Sequence, residues 1–271
     1  MPQEKRSSQQ ALTKIQSQAR YVFDSLEFAE LTDRAPGHSV EQALQRLARN
    51  QQIAMLRKNP TRWVIIPPEQ QHYGAPPILW WLDDLIRRED PNYYVGLLSA
   101  ARYWGSAHYA VQVTQVMVSK ARRPLTVGKL QVEFVSKKNI AGTPVEIVRS
   151  GPAPWRVSTR EATLLDLLRH LPAVGALEAV GRITRDFLPE LREEALQSAL
   201  RAMNQKLAAQ RLGFVLEALG SPKLAKTVAE WLGSKLATVQ PLERDTEGPE
   251  LHRQWRIRFS PQQLSLLKEL R

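Results

Sequence analysis

The chain has 271 residues, 43% of them hydrophobic, and carries 38 Lys and Arg against 27 Asp and Glu, a formal net charge of +11. A surface that basic favours polyanions, nucleic acid ahead of an anionic membrane, and the length admits one large or two ordinary domains. The absence of cysteine excludes disulfides, thiolate metal sites and thiol nucleophiles and fits a cytoplasmic protein. No signal peptide is expected at Met1-Pro2-Gln3-Glu4-Lys5-Arg6, and no apolar run approaches the ~18–20 residues of a membrane span.

From Gln9, the residues Leu12, Ile15, Ala19 and Val22 fall at helical spacing. Phe23 to Thr32 reads as a second helix with Leu26, Phe28, Ala29 and Leu31 inward, and Pro36-Gly37 as a turn. Ser39 to Asn50 reads as a third, opened by a capping box between Ser39 and Gln42. Its face Val40, Ala43, Leu44, Leu47 is apolar, and Gln42, Gln45, Arg46 and Arg49 lie opposite. Amides and guanidinium groups on one helix face are the side chains that read base edges and grip phosphates in a major groove. Ile53–Leu56 and Trp63–Ile66 then read as two strands around a basic tip that includes Arg57, Lys58 and Arg62. Helix, turn, helix and hairpin in that order predict a winged helix-turn-helix over residues 1–68. Ser39, Gln42, Gln45, Arg46 and Arg49 are the groove contacts, and Arg57, Lys58 and Arg62 the flanking ones.

Residues 69–77, with prolines 76 and 77 just behind Pro67-Pro68, read as a semi-rigid linker. A larger domain is expected over 78–271, giving an α+β chain: the winged head, then a mixed domain with a small, mostly antiparallel sheet and a helical half. Ile78–Arg88 and Tyr93–Trp104 read as helices, the latter stopped at Gly105. Strands follow at Val111–Val118, Leu130–Val135, Val145–Arg149 and Trp155–Val157. Helices are expected over Glu161–His170, Ile183–Phe187, Glu190–Leu207, Gln210–Leu219 and Leu224–Leu236, then a strand His252–Phe259 and a terminal helix Pro261–Leu270. The charge is uneven along this path. Residues 1–70 carry ten Lys and Arg against seven acids, whereas residues 112–160 carry nine against two. Lys120, Arg122, Arg123, Lys129, Lys137 and Lys138 are therefore candidates for additional DNA contact, unless they serve only to protect strand edges.

No catalytic chemistry emerges. Histidines 38, 72, 108, 170 and 252 are scattered without the local pairing of a zinc site. There is no phosphate loop of the form GxxxxGK[ST] and no GxSxG elbow. Trp104-Gly105-Ser106 carries the Gly-Ser of nucleotidyltransferases, but no Asp or Glu occurs between Gly105 and Glu133 to hold the magnesium that reaction needs. Adjacent carboxylates at Asp83-Asp84 and Glu193-Glu194 diverge on a helix. Neither catalytic residues, metal site nor cofactor is expected.

Four stretches resemble one family. They are Tyr21-Val22-Phe23-Asp24-Ser25-Leu26-Glu27-Phe28-Ala29-Glu30-Leu31; Gly96-Leu97-Leu98-Ser99-Ala100-Ala101 with Trp104-Gly105; Val157-Ser158-Thr159-Arg160-Glu161-Ala162-Thr163-Leu164-Leu165-Asp166-Leu167-Leu168; and Arg211-Leu212-Gly213-Phe214-Val215-Leu216-Glu217. In this order they resemble AbiEi-type antitoxins of the abortive-infection (type IV) toxin–antitoxin systems of bacteria. The resemblance implies a DNA-binding autorepressor acting on inverted-repeat operator DNA. It also implies a C-terminal domain that neutralises a nucleotidyltransferase-like toxin without requiring a stable complex. The wing departs from the family pattern, with Asn59-Pro60-Thr61-Arg62-Trp63 where Arg-Arg-Gly-x-Tyr is usual. The alternative from the residues alone is a winged-helix transcription factor with a ligand-sensing C-terminal domain, and after it an RNA-binding or nucleotide-handling enzyme.

Overall fold

The computed structural model describes residues 7–106, 113–233, 238–243 and 248–271. Val111 and Gln112, the first residues of an expected strand, lie outside that set, as does His108. The chain divides into two compact units. One comprises residues 1–93, 112–136 and 147–156, the other 94–111, 137–146 and 157–271.

The first unit opens with α1 (Ser8–Ser17), whose N-terminus carries a complete capping box between Ser7 and Gln10. The helix ends earlier than its apolar spacing suggests. Ala19 turns the chain at φ +55°, and Val22–Phe23 becomes a short strand, β1. α2 (Ser25–Leu31) starts on Asp24, which accepts from the Glu27 N–H at 2.9 Å. Phe28 and Ala29 face inward as expected, but Leu26 is 62% exposed. α3 (His38–Arg49) buries Val40, Ala43, Leu44 and Leu47. Its start corrects the expected capping box: the cap is Gly37 at φ +137°, no side chain caps the helix, and the Gln42 amide meets the His38 ring at 2.8 Å. β2 (Ile53–Lys58) and β3 (Thr61–Ile65) form an antiparallel hairpin with an irregularity between Met55 and Arg57, and β1 adds to the far edge of β3. Leu12, Ile15, Phe23, Phe28, Leu44, Ile53 and Trp63 close a single apolar core beneath these elements.

The expected linker is structured. Pro68–Tyr73 winds as a 3-10 helix ending at Gly74, φ +73°. The expected helix Ile78–Arg88 is broken into a 3-10 turn, Ile78–Trp80, and a short helix, Leu82–Ile86. Trp81 sits between them, fully buried, its indole N–H donating to the Pro76 carbonyl at 3.0 Å. The strands of this unit correct the expectation of a mostly antiparallel sheet. Val113–Val118 runs parallel to Leu130–Ser136, in register Val113↔Gln131 to Val118↔Ser136. The chain reaches that arrangement by passing beyond the middle strand to Leu125–Val127, then returning antiparallel through Gly128-Lys129. Asp90, almost fully buried, fixes the start of this excursion by accepting from the N–H and hydroxyl of Ser119.

In the second unit the expected helix Tyr93–Trp104 begins only at Leu97. Tyr94–Val95 is a buried strand running parallel to Trp155–Ser158 through Val95↔Val157. Gly105 ends that helix at φ +95°, as expected. The helix Arg160–Arg169 has its residues 161–168 all buried and is packed by Leu177–Phe187, Glu193–Met203 and Lys206–Ala218. The expected helix Glu190–Leu207 is cut at Asn204, which adopts the left-handed conformation (φ +48°) that asparagine tolerates better than most residues. The closing strand is instead a hairpin, Glu250–His252 against Ile257–Phe259, with Gln240–Pro241 parallel on its other side. Its Trp255 is wedged against Gly213: a methyl group there would lie 2.1 Å from the ring.

The turn between Leu125–Val127 and Leu130–Ser136 in the first unit is as tight. Lys129 N–H donates to the Tyr73 carbonyl at 2.8 Å, and a Cβ on Gly128 (φ +56°) would lie 2.1 Å from that oxygen and 2.7 Å from Gly74 Cα. Both obstacles are backbone and cannot rotate away. Gly128→Ala is expected to lower the unfolding free energy by about 2 kcal/mol or more, combining a left-handed backbone with a steric shift; urea denaturation measures it.

Candidate nucleic-acid interface and a buried ion pair

α3 presents one face to solvent. Ser39, Gln42, Gln45, Arg46 and Arg49 are all exposed on it, while Val40, Ala43, Leu44 and Leu47 point into the core. Among the described residues, neither Arg46 nor Arg49 forms an ion pair. At the hairpin the three cations differ. Lys58 is exposed at the tip, beside Asn59-Pro60. Arg57 is paired with Glu89 at 2.7 Å, and Arg62 with Asp24 at 2.5 Å. Asp24 thus has two tasks, one oxygen capping α2 and the other holding β3. Burial disfavours its charge, but the Glu27 N–H and Arg62 outweigh that and keep its pKa below the usual value. Arg20 lies nearby in a two-toothed pair with Glu27, at 2.6 and 3.0 Å.

The basic segment 112–160 is split between the units. Lys120, Arg122, Arg123 and Lys129 belong to the first, the unit that contains α3. Lys120, Arg123 and Lys129 are exposed, and Arg122 shares Glu89 with Arg57, at 3.0 Å. Lys137 and Lys138 belong to the second unit. Lys138 is exposed. Lys137 is not, and the expectation of a surface cation there is corrected: its side chain is 3% exposed and its charge is met internally.

That burial creates a centre absent from the sequence-based expectations. Lys137 Nζ donates to Asp166 Oδ1 at 2.8 Å, to Thr143 Oγ1 at 2.7 Å and to Tyr94 Oη at 3.0 Å. Tyr94 in turn donates to Asp166 Oδ2 at 2.6 Å. Each of the ammonium's three protons has an acceptor, and both carboxylate oxygens have donors. Burial pulls the Lys137 pKa below its ordinary value, with Asp166 opposing. Burial, and then the carboxylate, push the Tyr94 phenol well above 10, so it stays a neutral donor. The signal was present in Leu164-Leu165-Asp166-Leu167-Leu168: a helix buried on all sides cannot carry a carboxylate without a counter-charge.

The residues around Asp166 hold its helix in place. Thr159 accepts from the Ala162 N–H at 3.3 Å as the helix cap. The Ser158 carbonyl receives the Trp104 indole N–H at 2.8 Å, and the Arg160 guanidinium lies 4.4 Å from the centre of that ring. At the other end, Arg211 donates to the Leu168 carbonyl at 2.9 Å. Glu217 accepts from the Trp255 indole at 2.6 Å. No group of three or more His, Cys, Asp or Glu among the described residues is placed to hold a metal ion. No helix there is long and apolar enough to cross a membrane.

Removing one partner of such a pair leaves the other charged in a dry environment, which costs about 3–5 kcal/mol, whereas removing both can be nearly neutral. Lys137→Met is expected to cost that much, and Lys137→Met with Asp166→Leu is expected to be more stable than the single variant. Chemical denaturation of the three proteins measures both.

No curated protein matches the sequence. Among solved structures, the fold is similar to the crystal structure of the RV2827C protein from Mycobacterium tuberculosis, with a TM-score of 0.65 over 94% of this chain and 92% of that one at 16% identity. Residues 94–218 match the family model of the AbiEi antitoxin C-terminal domain. That span takes in Tyr94, Lys137, Thr143 and Asp166, three of the four stretches that carried the resemblance, and Arg211. Over these residues the chain carries an AbiEi-type antitoxin C-terminal domain.

Proposed function

We propose that the protein is a DNA-binding antitoxin that represses its own operon, with residues 1–68 acting as a winged helix-turn-helix. The observation that carries this reading is the outer face of α3. A 12-residue helix is seated by four apolar side chains and offers Gln42, Gln45, Arg46 and Arg49 to solvent, with the two arginines unpaired among the described residues. A helix fixed on one side and armed with amides and guanidiniums on the other has the chemistry of groove reading. Ser39, in the first turn, lies close enough to the helix N-terminus to approach a phosphate. Lys58 at the hairpin tip supplies an exposed positive charge for the flanking backbone, while Arg57 and Arg62 must exchange Glu89 and Asp24 for phosphate if they are to contribute. Lys120, Arg123 and Lys129 extend the basic surface of the same unit.

On this reading, Arg46→Ala with Arg49→Ala weakens binding to the upstream inverted repeat by about tenfold or more. It also reduces the dependence of log K on log salt by about 2, because two guanidinium–phosphate pairs no longer form. Electrophoretic shift or fluorescence anisotropy across a salt series measures both, and an unchanged affinity would remove α3 from the interface.

The cognate toxin, on the same proposal, is of nucleotidyltransferase type, and its neutralisation is carried by the family domain rather than by the head. Co-expression with the neighbouring gene tests this. Growth is expected to be rescued by the full chain and also by the Arg46→Ala, Arg49→Ala variant, since the operator-binding defect leaves the family domain intact. Failure of the full chain to rescue would refute the assignment.

A further inference from the structure

Within the second unit, Lys137 to Asn139, the end of the helix Arg160–Arg169 and the turn Met203 to Leu207 line an open cavity of about 650 Å³. Four of its lining residues are cations, Lys137, Lys138, Arg169 and Lys206, and none is a carboxylate. Lys137 is neutralised from behind by Asp166. Lys138, Arg169 and Lys206 are exposed and, among the described residues, form no ion pair. In this they differ from Arg57, Arg62 and Arg122, each of which meets an acid.

The polar character of the rest of the wall points the same way. The 13-residue helix Lys206–Ala218 begins at this cavity. Its first turn contains no acid, and no side chain caps its free N–H groups. Asn139, Asn204 and Gln205 add amides. The Gln205 Oε1 is buried with no hydrogen-bond partner, and turning that amide over presents its N–H groups instead. A fold that gathers three unneutralised cations at one concavity lowers its free energy when an anion enters. Arg169 offers a planar fork, and the two lysines point charges, a combination matched to tetrahedral oxyanions. The volume lies within the usual range for small-ligand sites and exceeds the needs of one phosphate.

We propose that this cavity is a phosphate-group site. It takes either the phosphate tail of a small ligand, such as a diphosphate or a nucleotide, or a segment of nucleic-acid backbone, with Arg169, Lys206 and Lys138 as the binding residues. The site is independent of α3 and does not rest on the operator-binding reading.

Isothermal titration calorimetry of the full chain near physiological ionic strength tests it, with pyrophosphate and ATP as probes. The Arg169→Ala, Lys206→Ala variant is expected to bind either probe about tenfold more weakly or not at all. Lys223→Ala, an exposed lysine already paired with Glu193, is expected to bind as the wild type does, as is Arg46→Ala with Arg49→Ala. A thermal melt of the double variant close to that of the wild type shows that the loss is local. Displacement of pyrophosphate by duplex DNA from the Arg46→Ala, Arg49→Ala protein would assign the site to backbone phosphate, and persistence of pyrophosphate binding against excess duplex would assign it to a free ligand. A wild-type chain that takes up neither probe, or a double variant that binds as the wild type does, overturns the proposal.

Discussion

The family domain depends on one ion pair in a place that would otherwise be all hydrocarbon. Moving an ammonium and a carboxylate out of water costs several kcal/mol for each, and their mutual attraction offsets this only when the remaining hydrogen-bonding capacity is also met. Here it is. Thr143 and Tyr94 complete the shell of Lys137, and Tyr94 completes that of Asp166. Three distant parts of the chain are thereby tied to one point: a strand at 94–95, the segment 137–143 and the central helix. A hydrophobic core of the same volume could hold these elements together, but it would tolerate sliding. A charge pair with directional partners does not, which gives the family domain a fixed register at its centre.

The placement of positive charge follows the same logic. The net charge of +11 suggests a uniformly adhesive surface, but the structure sorts the cations into those with an acid and those without. Lys137, Arg57, Arg62 and Arg122 are engaged. Among the described residues, Arg46, Arg49 and Lys58 in one unit, and Lys138, Arg169 and Lys206 in the other, are exposed and meet no acid. Arg46 and Arg49 lie on a helix seated by buried apolar residues, so those two charges are carried by a rigid element.

Legibility in the sequence followed the range of the interactions concerned. The α3 face was readable because its determinants lie within twelve residues at a fixed period. The Gly105 stop and the strand 130–136 were local in the same sense. The capping box at Ser39 was not realised because Gly37 ends the preceding turn, and the helix starts directly after it, at His38. Tyr94 and Val95 read as the beginning of a helix by their neighbours, yet they are a strand because burial and the hydroxyl's bond to Asp166 outweigh local preference. The parallel pairing of 113–118 with 130–136 depends on where the chain goes between them, and no periodicity reports that. The Lys137–Asp166 pair spans 29 residues and could be suspected only from an acid lodged among leucines.

Asp24 joins two parts of the head that have different work to do. It starts α2 and it holds Arg62, one strand pair short of the hairpin turn, whereas Lys58, Asn59 and Pro60 beyond that pair are exposed. The hairpin is therefore tied to α2 close to its turn, and the turn itself faces solvent. Substitutions of exposed turn side chains carry little folding penalty. A change at Asn59 or Pro60 therefore alters what the tip can touch without removing the contacts by which Asp24 holds α2 and Arg62.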